Sequence, residues 1–410
     1  MNSGQPLTDQ ALSLDHWLSY IQEVHPVGWD LGLDRVSEVG RRLKVLHPAV
    51  TTVLVAGTNG KGSTCEYLER FAMANGLSVG KSTSPHIHQF NERIAIDGVP
   101  VPDQSIVRAF QEIESARKEI TLTYFEFATL ASLLLFCEQK VDVAILEVGL
   151  GGRLDAMNIV DPDLTIITHI SLDHQDWLGN TRAEIAREKA GIMRAGVSCI
   201  VADRDPPESV YEYALEIGAS LYIIGRDFES LEDIDTVLPR DSFDAAQQAS
   251  KMLGWDVSGS EEIGVTTRLT GRRTVIKDKC EVLLDVAHNP AAAASLAEHL
   301  RAHWDGRDIH AVIGMYKDKD IESVSGILMP LFKTCHLTNL DEPRGEDADR
   351  LLGRLSVKPA GNVETYVNIE DALDGARKEA SPADLILVCG SFPVVSGVLQ
   401  LLSQTALTKN

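Results

Sequence analysis

The sequence predicts an α/β protein built on two largely parallel sheets. Three observations carry this. From about residue 50 onward, short β-rich runs alternate with helical stretches. The run VDVAILE at 141–147 is almost continuously apolar, as a strand covered on both faces should be. The alternation weakens between 203 and 276 and then resumes, which places a junction between two units near residue 270. A chain of 410 residues is too long for one ordinary domain. The expected domains are therefore 1–270 and 271–410.

Taken in order, the first fifty residues read as helical, in LDHWLSYIQEV and DRVSEVGRRLKVL. Strands are expected at 52–56, 141–147, 164–168 and 199–202. The weaker region holds a Pro-Pro pair, the acidic run FESLEDID and the segment VSGSEEIG. After it, strands are expected at 282–286, 310–313, 335–338, 364–367 and 385–389. Between these lie the helical stretches PAAAASLAEHL, DIESVSGILMPLF, DADRLLGRL and IEDALDGARKE. Five strands with four intervening helices fit one doubly wound unit.

Hydrophobic residues make up 44% and charged residues 24%, which excludes global disorder and a fibrous repeat. With 38 basic and 60 acidic residues the formal net charge is −22. That field repels a nucleic-acid backbone or an anionic membrane, so neither is an expected partner. An anionic small molecule needs a locally positive pocket. No run approaches the roughly 20 apolar residues of a membrane span, and 128–136, the most apolar stretch, is far shorter. The start, MNSGQPLTDQ, has neither a basic segment nor an apolar one, so a cytoplasmic location is expected. The six cysteines are scattered without a CxxC pair and read as reduced core thiols.

TTVLVAGTNGKGSTCEYLERF reads strand, glycine-rich turn, helix. Gly57, Gly60 and Gly62 let backbone N–H groups close around phosphate oxygens. Lys61 supplies positive charge, and Ser63 or Thr64 opens a helix whose N-terminus favours anions. The spacing is G-x-x-G-K-G-S, not the commoner G-x-x-x-x-G-K-[ST], with an extra glycine between lysine and serine. The segment points to a nucleoside triphosphate and says nothing of the reaction.

Such a nucleotide comes with Mg²⁺, which takes oxygen ligands. Glu147 ends the apolar strand and enters the turn VGLGGRLD, either as a metal ligand or as a surface acid. SLDHQDWLG puts Asp173, His174 and Asp176 in a loop, where His174 could meet a metal or a phosphate or be structural. Lys189, near the end of a helical stretch, reads by residue counting alone as a solvated lysine. DVAHNP closes another strand with Asp285, His288 and Asn289. Arg272 and Arg273 near the junction are either a phosphate contact that senses closure or a solvated basic pair.

Together these segments resemble the folylpolyglutamate synthase family of the Mur ligase superfamily. The matching motifs are GTNGKGS (57–63), TSPHIHQFNERI (83–94), TYFEF (123–127), EVGLGGRLDAMNIV (147–160), SLDHQDWLG (171–179), REKAGIMR (187–194), DVAHNP (285–290), GMYKDKD (314–320) and CGSF (389–392). They span nearly the whole chain in family order. DLGLDRV (30–36) and LTYFEF are similar to the bifunctional branch, which has dihydrofolate synthase and folylpolyglutamate synthase activities.

The resemblance implies a Mur-ligase-type nucleotide-binding domain followed by a smaller Rossmann-like domain on the glutamate side. It implies an ATP-dependent ligase that joins L-glutamate to dihydropteroate and to reduced folates. The route is an acyl phosphate, and the products are ADP and phosphate. By resemblance, Asn59, Gly60, Lys61, Gly62 and Ser63 hold the ATP phosphates, with Arg272 and Asp285 as further nucleotide contacts. Ser84 and Glu147 match ligands of one Mg²⁺ and His174 a ligand of a second. Lys189 matches a lysine carbamylated by CO₂, which turns an ammonium into an oxygen ligand; Lys61, His174 and Lys189 are thus the expected catalytic set. Asp30, Leu31 and Gly32 match pterin-site positions. So do Thr123, Tyr124, Phe125 and Glu126, and likewise Leu154, Asp155 and Ala156. A monomer is implied.

Three positions depart from the family pattern: Asp244 where an asparagine usually contacts the nucleotide, Thr270 for proline and Met157 for threonine. A cell-wall ligase of the same superfamily would need an extra N-terminal domain, for which the 56 residues ahead of the loop leave no room. The remaining alternatives are a monofunctional folylpolyglutamate synthase and a nucleotide-binding paralogue without ligase activity.

Overall fold

The computed structural model describes residues 13–28, 30–229 and 234–408. β1 (Thr51–Ala56), β2 (Val79–Ser82), β3 (Ile94–Ile96), β4 (Val99–Pro100), β5 (Val143–Glu147), β6 (Leu164–Ile167), β7 (Ser198–Val201) and β8 (Ser220–Ile223) form one sheet. Its order is β4-β3-β2-β5-β1-β6-β7-β8. All pairs are parallel except β2 with β3 and β3 with β4. β9 (Thr274–Lys277), β10 (Glu281–Leu284), β11 (Ile309–Ile313), β12 (Thr334–Thr338), β13 (Val363–Tyr366) and β14 (Leu385–Cys389) form a second sheet in the order β13-β12-β11-β14-β10-β9. There only β9 runs antiparallel.

Each sheet is covered on both faces, and the alternation along the strands shows it. In β1, Val53 and Val55 pack into one apolar cluster, while Leu54 and Ala56 pack into another. In β14, Leu385 and Leu387 face one way and Ile386 and Val388 the other. The helices Lys61–Ala74 and Arg240–Met252 cover one face of the first sheet, through Tyr67, Phe71 and Phe243. The helix Tyr124–Gln139 covers the other through Phe127, Leu130 and Leu134.

Every strand expected from the sequence is present, with ends shifted by no more than two residues. Five strands were not legible there: β2, β3, β4, β8 and β9. β2 is VGKS, whose lysine hides a buried position. Lys81 is 8% exposed and paired with Glu66 and Glu69 on the helix above it, so its charge is compensated inside the fold. The stretch 203–276 is more regular than its faded periodicity suggests, with helices Glu208–Ile217, Arg240–Met252 and Ser260–Thr266. All six cysteines are free thiols, five of them buried. Among the described residues no helix is long and apolar enough to cross a membrane.

Candidate functional site

β1 delivers the chain into the glycine loop at its carboxyl end, beside β5 and β6. Gly57 (φ +150) must be glycine, because a Cβ there would stand 1.7 Å from Thr168 Oγ1. Gly60 (φ +91) precedes the helix Lys61–Ala74, so the first free N–H groups of that helix face the loop. Lys61 folds back over it, its Nζ donating to the Gly57 carbonyl at 3.1 Å and the Thr58 carbonyl at 3.3 Å. Thr58 N–H donates to His169 O at 2.8 Å, which pins the loop to the segment after β6.

The residues singled out in the sequence converge on one cleft of about 1230 Å³. Asn59 to Ser63, Ser84, Glu147, His174, Lys189, Arg272 and Asp285 line it, as do Asp30 to Gly32, Thr123 to Glu126 and Leu154 to Ala156. Both sheets contribute. The locally positive surface that an anion needs in so acidic a chain is here, in Lys61, Arg93, Lys189, Arg272, Arg273 and Lys319.

Several of these residues are buried and neither surface-exposed nor solvated. Glu147 is 5% exposed, so it is no surface acid. Burial pushes its carboxyl up, against the opposing charge of Lys61, and its Oε2 accepts from Ser84 N–H at 3.0 Å. Lys189 is 3% exposed, so it is no solvated lysine; its Nζ donates to the Gly57 carbonyl at 2.9 Å. Burial, and then the charge of Lys61, lower its ammonium to about 7. His174 (φ 51, ψ 40) caps the short helix Gln175–Leu178, and burial lowers its imidazole to about 4, leaving a neutral ring nitrogen for a ligand. The Arg272 guanidinium lies 5.0 Å above the Phe392 ring, and Arg273 donates to Val237 O and Ser295 Oγ, so neither is a solvated basic residue. Asp285 accepts from Arg273 N–H at 3.0 Å and Ala287 N–H at 2.9 Å, which fixes it at the end of β10.

Thr123 and Glu126 form a capping box at the start of the helix Tyr124–Gln139. Arg35 joins this end to the other pterin-site segment, donating to Asp30 Oδ2 at 2.6 Å and to Glu126 Oε1 at 3.3 Å. Tyr124 packs edge-on against Phe90, with the Arg93 guanidinium 5.6 Å from its ring. Asp155 accepts from Leu150 and Met157 N–H groups at 2.8 and 2.9 Å, and burial raises it to about 6.

Asn59 and Asp173, in loops of the first sheet, reach across to the second. Asn59 and Asn289 exchange reciprocal amide hydrogen bonds of 3.0 and 2.9 Å. Asp173 accepts from Lys319 Nζ at 2.6 Å, with His288 and Asn289 beside its second oxygen. Burial alone would raise the Asp173 carboxyl, but His288, His174 and Lys319 hold it well below the usual carboxylate range. Arg35, Arg93 and Lys319 were not singled out from the sequence. Each sits inside a matching motif, but Glu126, which Arg35 reaches, and Asp173, which Lys319 reaches, lie 91 and 146 residues away.

Asp244 does not line the cleft; Asp241 and Ser242 do. Its carboxylate is 2% exposed and accepts from Arg240 Nε at 2.8 Å, one turn earlier on the same helix. An asparagine keeps that acceptor. Asp244→Asn is therefore expected to change the apparent ATP affinity by less than about threefold, roughly 0.6 kcal/mol. Initial-rate titrations with ATP check this, and a tenfold gain would restore a nucleotide role to position 244.

Residues 55–276 match the family model for the Mur ligase middle domain, and 271–392 match the Mur ligase glutamate ligase domain. The chain is 41% identical to the dihydrofolate synthase/folylpolyglutamate synthase of Escherichia coli (strain K12), over 96% of this chain and 97% of that protein. The solved structure of E. coli FolC in complex with DHPP and ADP aligns with a TM-score of 0.93 at 40% identity, covering 97% of this chain and 100% of that one. The Yersinia pestis bifunctional folylpolyglutamate synthase/dihydrofolate synthase complexed with AMPPNP and Mn ion aligns at 0.90 and 38%, again over 97% and 100%.

Proposed function

Because the chain belongs to the dihydrofolate synthase/folylpolyglutamate synthases of the Mur ligase family, we propose that it joins L-glutamate to dihydropteroate and to reduced folates at the expense of ATP. The observation that carries this reading is the single cleft, which holds a phosphate loop, buried acids and an aromatic, acid-lined pocket side by side. A carboxylate is a poor electrophile until one of its oxygens becomes a leaving group. In the first step a pterin-side carboxylate oxygen attacks the γ-phosphorus of ATP and ADP departs. In the second, the glutamate amine attacks the acyl carbon and phosphate leaves.

The chain's own residues fit these demands. The loop N–H groups and the helix start at Lys61 cradle phosphate oxygens, and Lys61 offsets charge on the transferred group. Arg272 and Asp285 approach the nucleotide from the second sheet. Asp30 and Glu126, held in place by Arg35, offer acceptors to a flat ring that Tyr124 and Phe125 flank. Closing the cleft between 1–270 and 271–410, taken as two domains, keeps water from the acyl phosphate. Scattering is expected to show compaction with ATP and dihydropteroate.

A divalent cation fits the donor set. The Glu147 carboxylate and Ser84 are adjacent hard-oxygen donors beside the phosphate loop. A second cation would be held by His174 and Lys189, the latter only as its carbamate, since an ammonium repels a cation. Mg²⁺ bound there would neutralise phosphate charge.

The test is ADP release with Mg²⁺-ATP while glutamate, dihydropteroate or tetrahydrofolate is omitted in turn, with mass detection of products. ADP that requires glutamate and either pterin, with a gain of one glutamyl unit, is expected. Activity with tetrahydrofolate alone would reduce the reading to the polyglutamate synthase. ADP release indifferent to both acceptors would overturn it in favour of a nucleotidase.

A further inference from the structure

At the other end of the second sheet lies a histidine cluster that this chemistry does not use. His310 on β11 and His336 on β12 are each 1% exposed. His310 is the second residue of β11, in register with Thr334 at the start of β12, and His336 stands two residues further along β12. The cleft residues Tyr316 and Lys319 follow the carboxyl end of β11 instead. Glu379, the last residue of the helix Ile369–Glu379, brings a carboxylate Oε2 to 3.4 Å from His336 Nε2 and 3.9 Å from His310 Nδ1.

The hydrogens can be assigned from the partners. His310 Nε2 lies 3.3 Å from Asp384 Oδ2, an acceptor that Ser381 N–H also reaches, so Nε2 carries the hydrogen and Nδ1 a lone pair. Tyr366 O–H donates to Glu364 Oε2 at 2.5 Å, so the tyrosine oxygen accepts from His336 Nδ1–H at 3.1 Å. In the neutral ring His336 Nε2 therefore also presents a lone pair. The two lone pairs face one hydroxyl, Thr334 Oγ1, at 2.8 and 3.2 Å. One hydroxyl hydrogen cannot satisfy two imidazole nitrogens and a carboxylate together. Three acceptors therefore converge on one point.

We infer that His310 Nδ1, His336 Nε2 and the Glu379 carboxylate form a binding site for a divalent transition-metal ion, zinc in particular. The three ligand atoms lie within 4.8 Å of one another. Two imidazoles and a carboxylate suit zinc, with Thr334 Oγ1 or water completing four ligands. Both rings have the outer partners that metal-bound histidines carry: Asp384 behind His310, and Tyr366 with Glu364 behind His336. The backbone fixes the arrangement. A Cβ at Gly375 would stand 2.2 Å from Tyr366 OH and 2.9 Å from His336 Nδ1, so the helix packs directly on this pair. The Glu379 side chain is 31% exposed and gives the ion a way in. The bound ion ties the end of that helix to β11 and β12.

The test uses the full chain freed of metal by chelator, titrated with Zn²⁺ against a chromophoric chelator. A His174→Ala background removes the imidazole of the cleft. About one zinc per chain, retained in that background and accompanied by a rise in Tm, is expected. Glu379→Gln is at the surface and should fold; it is expected to weaken zinc binding about tenfold or more while Mg²⁺-supported turnover without zinc is unchanged. His336→Gln is expected to abolish stoichiometric binding. Absence of stoichiometric zinc in the unaltered chain, or binding indifferent to both variants, would overturn the site. A cluster in which Glu379→Gln alters only acid stability holds a proton and no metal, which overturns it as well.

Discussion

Replacing Lys189 by alanine is expected to lower turnover about 10²- to 10³-fold, the usual cost of removing a preorganised electrostatic group from a reaction centre. The reason lies in where the amine sits. It is buried, shares the Gly57 carbonyl with Lys61, and has its ammonium lowered to about 7 by burial and by that neighbour. A second cation so close to Lys61 has little purpose as a cation. As a free amine it can attack CO₂, and the carbamate then opposes Lys61 with a negative charge. The sign follows from the depressed value. Below about pH 7 the ammonium form prevails and cannot react, so CO₂-dependent activity falls there and is sustained above it. Three readouts check this. Removal of bicarbonate should lower the activity of the unaltered chain, and added bicarbonate should restore it most strongly near neutral pH. In Lys189→Ala, a short carboxylic acid such as acetate should recover part of the rate. Near-normal turnover in the variant would sink the carbamate assignment.

Lys319→Ala is expected to be the most disruptive change for the joint between the sheets. Lys319 and Asp173 form an ion pair with side chains 6% and 10% exposed, one from each half of the molecule. Breaking a buried pair by removing one partner costs about 3–5 kcal/mol, because the remaining charge is left uncompensated. His288 and Asn289 still reach Asp173, so the lower figure applies. A loss of about 3 kcal/mol should lower Tm by roughly 3–4 °C in a chain of 410 residues. The pH dependence has a definite sign. The folded-state value of Asp173 is depressed, so its stabilisation is present above the ordinary aspartate value of 3.8 and is lost as the pH falls below it. In Lys319→Ala the depression shrinks, and the difference between variant and parent should be largest near neutrality and fade in acid. Thermal unfolding at pH 7 measures the difference, and the double variant with Asp173→Asn checks its source; additive losses would remove the ion pair from the account.

The phosphate loop was readable in the sequence because strand, glycines, lysine and helix are contiguous there, and each contributes through its own backbone. The same holds for the core strands, whose unbroken apolar runs report burial on both faces. β2 was not readable, since Gly80 and Lys81 are buried for reasons that belong to other elements: the Phe136 ring leaves no room for a Cβ at 80, and Glu66 and Glu69 neutralise the amine at 81. The cleft was half readable. Glu147 and Lys189 could be matched to motifs, but their burial could not be seen in a linear chain. Arg35 and Lys319 act on Glu126 and Asp173, which lie 91 and 146 residues away. Such pairings exist only after folding. Asp244 shows the converse, for a position suggested by pattern proves to point to Arg240 and away from the cleft.

The reciprocal amide pair of Asn59 and Asn289 has a consequence for how such chains diverge. Each side chain presents one donor and one acceptor to the other, at positions 230 residues apart. An aspartate at either place sets two acceptors face to face, and a leucine removes both bonds of the pair. Neither position can drift by itself. The two are expected to behave as a single inherited character, with lineages that alter one having altered the other.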